Sequence, residues 1–222
     1  MESLWLSLKL AAAVAAILLA LGTPLAYWLA FTKWRAKFFI ESIVAMPLVL
    51  PPTVLGFYLL VALGSRGPIG KLWLALFGHT LAFTLEGLVI ASCVYSLPFA
   101  VQPLVNSFAG VDPKLLDASS VLGAGRWRTF WRVIAPLSLS GFVTAAVLSF
   151  AHTLGEFGVV LMVGGDLPGI TRTASIDIYD HVQSLDYAGA NRMALILLLF
   201  AFAVLSSVYA MNRKAWSPWP AK

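Results

Sequence analysis

The chain has 222 residues, of which 60% are hydrophobic and 11% charged, and its formal net charge is +5. Because soluble domains carry about 25% charged residues, this composition excludes an ordinary water-soluble domain and indicates a polytopic helical membrane protein. The basic excess is typical of Lys and Arg on the cytoplasmic side of a membrane, so it gives no reason to expect nucleic acid.

Apolar runs long enough to cross a bilayer recur along the chain, since a spanning helix needs about 20 residues. The first run is longer than the core of a signal peptide, about 7–15 residues, which favours a retained span. A short interfacial helix at 71–79 would add a sixth crossing if it entered the membrane. We predict one all-α transmembrane domain at 5–212, with five spans at about 10–32, 42–63, 81–101, 136–160 and 193–212.

Prolines and glycines interrupt two of these runs. Pro47, Pro51 and Pro52 predict a kinked second span that faces other helices, because neighbouring helices can satisfy the backbone groups that a proline releases. The fourth run contains the sequence Gly-Glu-Phe-Gly at 155–158. This element predicts a second kink, near the outer end of that span.

Five spans place the two termini on opposite sides of the membrane. With the loop between the third and fourth spans in the cytoplasm, the chain obeys the positive-inside rule. The N-terminus is then periplasmic, the C-terminus cytoplasmic and the protein a multi-pass component of a bacterial inner membrane. The basic residues that face inward are Lys33, Arg35, Lys37, Lys114, Arg126, Arg128, Arg132, Arg213, Lys214 and Lys222.

The loop at 111–136 is clearly amphipathic. Asp112 is a good N-cap, Pro113 suits the first helical position, and Gly123 can end the helix in a left-handed cap. After a second joint at Gly125, helical spacing relates Trp127, Phe130, Trp131 and Ile134. These signals predict two short helices joined by Gly-x-Gly. Such an elbow fits an interfacial loop with its arginines on lipid phosphate, or a knob for a groove on a soluble partner.

The loop resembles the EAA loop of ABC importer permeases, whose pattern is E-A-A-x3-G-x9-I-x-L-P. The spacing, Gly123 and Pro136 match, while Asp replaces Glu, Ser the second Ala, Val the Ile and Ala the Leu. In that family the loop forms the coupling helix, which sits in a cleft of the cytoplasmic ATPase subunit. The resemblance therefore implies a coupling surface formed by Asp117, Ala118, Ser119, Gly123, Gly125, Arg126, Val133 and Pro136.

Three further stretches resemble molybdate transport permeases: PLVLPPTVLG at 47–56, LGAGRWR at 122–128 and LGEFG at 154–158. Tungstate and sulfate permeases share parts of them, particularly Gly-Glu-Phe-Gly. The resemblance implies a permease subunit that translocates molybdate by alternating access, with tungstate or sulfate as alternatives. It also implies a homodimer in membrane lipid, cytoplasmic ABC ATPase subunits and a periplasmic oxyanion-binding protein. Because no Gly-x4-Gly-Lys-Ser/Thr stretch occurs, ATP is expected on the partner, and this chain needs no cofactor.

The second and fourth spans, which prolines and glycines interrupt, are predicted to line the path of the anion. An oxyanion in transit should meet backbone dipoles and hydroxyls, since a tight cationic site would slow its release. Glu156 repels a dianion, so a structural or gating role suits it better. The sequence has no catalytic or metal-ligand motif that includes Glu156. The rival class of protein is a gradient-driven secondary transporter that uses Glu86 or Glu156 as its ion site. The path or gate residues predicted here are Pro51, Pro52, Thr53, Thr153, Gly155, Glu156 and Gly158.

Overall fold

The computed structural model describes the backbone of residues 2–211 and the side chains as far as residue 207. The end of the predicted span at 212 and the basic residues Arg213, Lys214 and Lys222 lie outside the described residues. The predicted all-α class is confirmed. The helices are α1 (Glu2–Phe31), α2 (Lys37–Val49), α3 (Pro52–Leu63), α4 (Pro68–Phe77), α5 (Leu85–Ala109), α6 (Pro113–Val121), α7 (Arg126–Thr129), a π-helical turn (Phe130–Ile134), α8 (Ala135–Leu137), α9 (Leu139–Leu154), α10 (Gly158–Gly164), α11 (Ala174–Gln183) and α12 (Tyr187–Met211).

Among the described residues three helices, α1, α5 and α12, are long and apolar enough to cross a membrane by themselves, and the number rises to as many as five if each of two bent pairs is one span. Helix α5 begins later than the predicted third span because the Thr84 hydroxyl accepts a hydrogen bond from the Gly87 N–H and caps the helix there. Helix α4, which contains most of segment 71–79, has 10 residues. It is too short to cross a bilayer as one helix.

The second predicted span differs from the structure, which has two helices, α2 and α3, at 114° to each other instead of one kinked helix. Leu50 between them is extended, with φ −71° and ψ 136°. A residue that precedes a proline is biased away from helical geometry, and neither Pro51 nor Pro52 has an N–H to continue the ladder. The double proline therefore ends α2, and Pro52 starts α3 at the first helical position.

The fourth predicted span is also divided. The helix that starts at Arg126 runs through Pro136, where a new span was predicted to begin, and bends by 73° at Ser138. Just before Pro136 the chain makes the π-helical turn, in which the Ala135 N–H bonds the Phe130 carbonyl. Because Pro136 lacks an N–H, this local rearrangement lets the helix continue past it. Helix α9 then ends at Leu154 and α10 begins at Gly158, so the chain has a break where the sequence predicts a kink.

Helices α1, α5 and α9 pack against one another as the centre of the molecule. Lipid is as apolar as leucine, so close packing rather than water exclusion holds such helices together. The α5–α9 crossing depends on Gly141, where a methyl group would overlap Ser107 of α5. Helix α3 packs on α10, and α2 lies against α5.

The two ends of this bundle differ in charge. At one end the elbow meets the end of α1, where the rings of Tyr27 and Phe130 make an edge contact at 5.6 Å between centroids. At the other end the start of α1 meets α11: Ser3 donates to Asp177 at 2.6 Å, and the Ala174 N–H donates to Ser7 at 2.8 Å. The elbow and the α1–α2 turn are rich in Lys and Arg, whereas the segment at 164–192 carries four of the six aspartates.

Candidate functional site

Helix α6 has the ends that the sequence predicts. The Asp112 side chain accepts a hydrogen bond from the Lys114 N–H at 2.9 Å, and Gly123 follows the helix with φ +72°. The Ala124 N–H then bonds the Ser119 carbonyl at 3.0 Å, which closes the turn. A β-carbon at Gly123 would meet no atom within 4 Å, so only the backbone conformation calls for glycine there.

The predicted coupling residues divide between exposed and buried positions. Asp117, Ala118, Gly123, Gly125 and Arg126 are exposed. Ser119 is buried at 8% exposure, and its hydroxyl is hydrogen-bonded to Thr129 at 2.8 Å, so it ties α6 to α7 instead of contributing to the outer surface. Val133 is half-buried, and Pro136 is exposed on the far side of the elbow.

The tip of the elbow carries two unusually exposed apolar side chains. Val121 is 87% exposed and Leu122 is 84% exposed, at the charged end of the bundle. Leu115, on the same helix, is 44% exposed. Leu122 follows Leu115 by seven residues, a spacing typical of one helix face, whereas the exposure of Val121 follows from the abrupt turn at Gly123. An apolar tip among charged residues has the chemistry of a contact surface for another protein.

The four residues predicted to form one face of the second elbow helix serve two surfaces. Phe130 and Ile134 are buried against α1, α5 and α9. Trp127 and Trp131 are 74% and 57% exposed and line an apolar groove of about 860 Å³ between the elbow and α1. Phe130 and Ile134 therefore hold the second half of the elbow against the bundle.

Glu156 occupies the break between α9 and α10 and is only 4% exposed. Neither carboxyl oxygen has a hydrogen-bond partner among the described residues, and the nearby Ser92 hydroxyl of α5 is also buried without one. The Ser175 hydroxyl donates to the Glu156 backbone carbonyl and so connects α11 to the break. A carboxyl enclosed in this way is consistent with the structural or gating role expected of it.

A polar contact one turn earlier joins α5 to α9. The Ser96 hydroxyl is hydrogen-bonded to His152 Nδ1 and to Thr153 Oγ1, both at 2.9 Å. Thr153 is therefore engaged in helix packing and is 3% exposed. The His152 ring stacks on Phe99 at 4.0 Å between centroids. Within residues 2–207 no three potential metal-ligating side chains are grouped together.

The remaining predicted path residues lie on the α3–α10 contact. A β-carbon at Gly158 would stand 2.7 Å from the Pro52 Cβ, so these two residues are in close contact. Pro51, Thr53 and Gly155 are exposed nearby. The structure thus brings the second-span prolines and the fourth-span glycines together, whereas Thr153 and Glu156 face inward toward α5.

A polar cavity that the predicted path does not include lies between α5 and α9. Its volume is about 660 Å³, and Leu48 of α2 closes one side. No residue of the predicted path lines it. Its polar lining consists of Gln102, Asn106, Ser107, Ser140 and Thr144.

The segment at 164–192 holds an ion-pair cluster. Arg172 is paired with Asp166 at 2.5 Å and with Asp180 at 3.4 Å. The hydrogen bond to Asp166 is the main cause of a raised pKa at Arg172. The Gly189 backbone N–H, which bonds the Asp186 carboxylate, lowers the pKa of Asp186. These side chains order the segment before α12.

Residues 22–217 match the family described as the inner membrane component of binding-protein-dependent transport systems. The chain belongs to this family of membrane permeases, whose members are not themselves enzymes. The predicted membership and the multi-pass inner-membrane location are confirmed.

Its relatives include proteins named molybdenum transport system permease protein ModB. The protein from Azotobacter vinelandii is 53% identical over 208 residues, which cover 94% of this chain and 92% of the relative. The protein from Escherichia coli K12 is 38% identical over 92% of this chain and 90% of the relative. A probable sulfate transport system permease protein from Zygnema circumcarinatum is 33% identical over 88% of this chain and 68% of the relative.

Solved structures of ABC transporters share the fold. A bacterial transporter involved in the import of alginate gives a TM-score of 0.77 at 15% identity, covering 97% of this chain and 79% of the other. The MetNI methionine transporter gives 0.74 at 16% identity, covering 95% and 93%. At these identities the likeness concerns the fold alone.

Proposed function

We propose that this chain is the permease subunit of an ATP-driven importer and that its substrate is molybdate. The relatives that cover most of the chain and carry molybdenum in their names support this choice of anion. The sulfate permease relative, with 33% identity, makes sulfate the alternative, together with the similar anion tungstate.

We propose that an ATPase subunit docks at the exposed apolar tip of the elbow. Val121 and Leu122 are 87% and 84% exposed at the basic end of the bundle. Asp117 and Ala118 extend the same exposed surface, and Gly123 shapes its turn. An apolar projection with polar neighbours fits a cleft on a soluble partner, as an exposed helix fits a groove.

The elbow can transmit the motion of that partner to the membrane. The Ser119–Thr129 hydrogen bond joins α6 to α7, and α7 continues through the π-helical turn and α8 to the bend that starts α9. Buried Phe130 keeps this unit on the bundle. Closure of two ATPase subunits would draw two elbows together and open the permease outward, and hydrolysis would return it inward.

The assembly we propose is a homodimer of this chain with two ATPase subunits beneath it and a periplasmic oxyanion-binding protein above it. Up to five crossings in one copy are few for an enclosed path, and a two-fold interface is the commonest way to complete one. The basic elbow end is cytoplasmic under the positive-inside rule, which puts the start of α1 and the α11 segment in the periplasm.

Docking is tested by co-purification of the ATPase with matched leucine variants. We expect Leu122→Asp to lose the ATPase, because a charge would be buried in the apolar contact. Leu185→Asp is the control, since Leu185 is 72% exposed at the opposite end of the bundle. Retention of the ATPase by Leu122→Asp would contradict docking at the elbow tip.

The anion is tested by ATP hydrolysis of the reconstituted complex with its binding protein, with molybdate, tungstate and sulfate compared. The proposal predicts the strongest stimulation by molybdate. Stimulation by sulfate alone would assign the chain to the alternative substrate while keeping its class.

A further inference from the structure

Two facing rows of side chains run along α5 and α9 from the elbow end toward the middle of the membrane. On α5 the row is Asn106, Gln102, Phe99 and Tyr95, at helical spacings of three and four. The row on α9 has spacings of four: Ser140, Thr144, Leu148 and His152. The first two members of each row, with Phe99 and Leu148, line the cavity of about 660 Å³.

The exposure of the two amides shows what this surface faces. Gln102 and Asn106 are exposed on a helix that is otherwise apolar enough to span the membrane. Asn106 is about one turn and Gln102 about two turns from the end of α5 at Ala109. Polar side chains at membrane depth face protein or a water-filled cavity rather than lipid, because hydrocarbon leaves their hydrogen bonds unmade.

The uncharged polar lining suits an anion that passes through the cavity without binding tightly. The polar side chains that line the cavity carry no formal charge, whereas Lys or Arg would bind an oxyanion tightly. The Thr144 hydroxyl donates to the Ser140 carbonyl at 2.8 Å and the Ser107 hydroxyl to the Ser138 carbonyl at 3.5 Å. The NH₂ groups of Gln102 and Asn106, with the Ser140 hydroxyl, therefore remain as donors. Glu156, the nearest buried carboxyl in sequence, lies beyond the row.

The cavity ends at a ring contact. Phe99 stacks on His152, whose ring also meets Tyr95 at 4.7 Å, and Ser96 holds His152 in place through Nδ1. This cluster closes the two rows at the end of the cavity formed by Phe99 and Leu148. Opening it requires α5 and α9 to move apart, and α9 is the helix into which the elbow continues after the bend at Ser138.

We propose that the cavity is the cytoplasmic half of the anion path, with Gln102 and Asn106 as donors to a tetrahedral oxyanion and the Phe99–His152 stack as its constriction. This inference rests on the proposed function and replaces Pro51, Pro52, Thr53 and Thr153 as the path residues on this side.

Thiol labelling tests whether the cavity holds water. In the complex with Cys93→Ser, we compare Asn106→Cys and Thr144→Cys with Leu21→Cys, an exposed position on the apolar surface of α1. A charged, membrane-impermeant thiol reagent is added to inside-out vesicles. Because thiolates form in water, we expect the two cavity positions to react about tenfold faster or more. Equal or absent labelling would overturn the proposal, and so would disulfide cross-links between copies without labelling.

Transport tests the donors themselves. Loss of one hydrogen bond to an anion predicts that Asn106→Leu lowers molybdate uptake about tenfold, while Asn106→Gln restores part of it. Asn191→Leu, an exposed asparagine at the start of α12, is the control and should transport normally. If the wild-type complex takes up no molybdate, the proposed function fails. If wild type and Asn106→Leu transport equally, only this inference fails. Should Asn106→Leu not assemble with the ATPase, the labelling result decides.

Discussion

Glu156 is enclosed at the break between α9 and α10, and its surroundings bear on whether its side chain is charged. An ionised carboxylate in this place, without partners, would cost several kcal/mol in a low-dielectric interior. We therefore expect the side chain to act through its volume and not through a negative charge. Its backbone carbonyl, bonded by Ser175, fixes α11 over the same break.

Replacement of Glu156 distinguishes shape from charge. We expect Glu156→Gln to retain the melting temperature of the purified complex, since the amide has the same shape and no charge. Glu156→Lys should lower it by many degrees or prevent assembly, because a cation there has no partner. Both are measured by thermal unfolding in detergent. A large loss in Glu156→Gln would show that the negative charge itself is needed.

Two glycines at the same break differ in what surrounds them. A β-carbon at Gly158 would stand 2.7 Å from Pro52, whereas one at Gly155 has its nearest neighbour at 3.8 Å. We expect Gly158→Ala to lower the free energy of unfolding by about 1–3 kcal/mol through overpacking. Gly155→Ala should change it little. Equal unfolding midpoints for the two variants would contradict the close α3–α10 contact.

At the scale of elements, residues close in sequence determine where a helix begins and ends, whereas tertiary packing determines which of its faces meets a neighbouring helix. Asp112, Pro113 and Gly123 specify α6 through contacts within a few residues, so the sequence predicts its limits. In the sequence, Gln102 and Asn106 are two polar residues near prolines. Only the packing of α5 on α9 shows that they line one cavity. Polar spacing along an apolar span was the one signal that could have found them, but their common face depends on tertiary packing.

The elbow turn gives a prediction at this scale. Gly123 and Gly78 both have positive φ, +72° and +75°, and open space around them. Valine therefore introduces the same backbone strain at either position. We expect Gly123→Val to lose the co-purifying ATPase and Gly78→Val, at the end of α4, to keep it. If both variants lose the ATPase, strain alone explains the effect and the elbow turn has no special part in docking.

At the scale of the molecule, the bundle has one basic and one acidic end. The sequence predicts this polarity from counts of Lys and Arg, and the contacts of Tyr27 with Phe130 and of Ser3 with Asp177 put the corresponding segments together. The paired prolines at 51–52 and the bend at Ser138 were harder to predict in detail, because the same residues permit a kink or a full change of direction.

Sidedness follows from this polarity and is measured on whole cells. In a Cys93→Ser background, Ser184→Cys near the end of α11 should react with an impermeant thiol reagent outside the inner membrane. Lys33→Cys, in the exposed α1–α2 turn, should react only after the membrane is opened. The reverse pattern would contradict the orientation and the cytoplasmic position of the elbow.

The central claim is that ATP hydrolysis by a partner drives molybdate through this permease. Its most direct test is uptake of labelled molybdate into liposomes that contain the permease, its ATPase and the binding protein, with ATP supplied at the ATPase side or with an ion gradient alone. We predict uptake with ATP and none with the gradient. Uptake driven by the gradient without ATP would contradict the account.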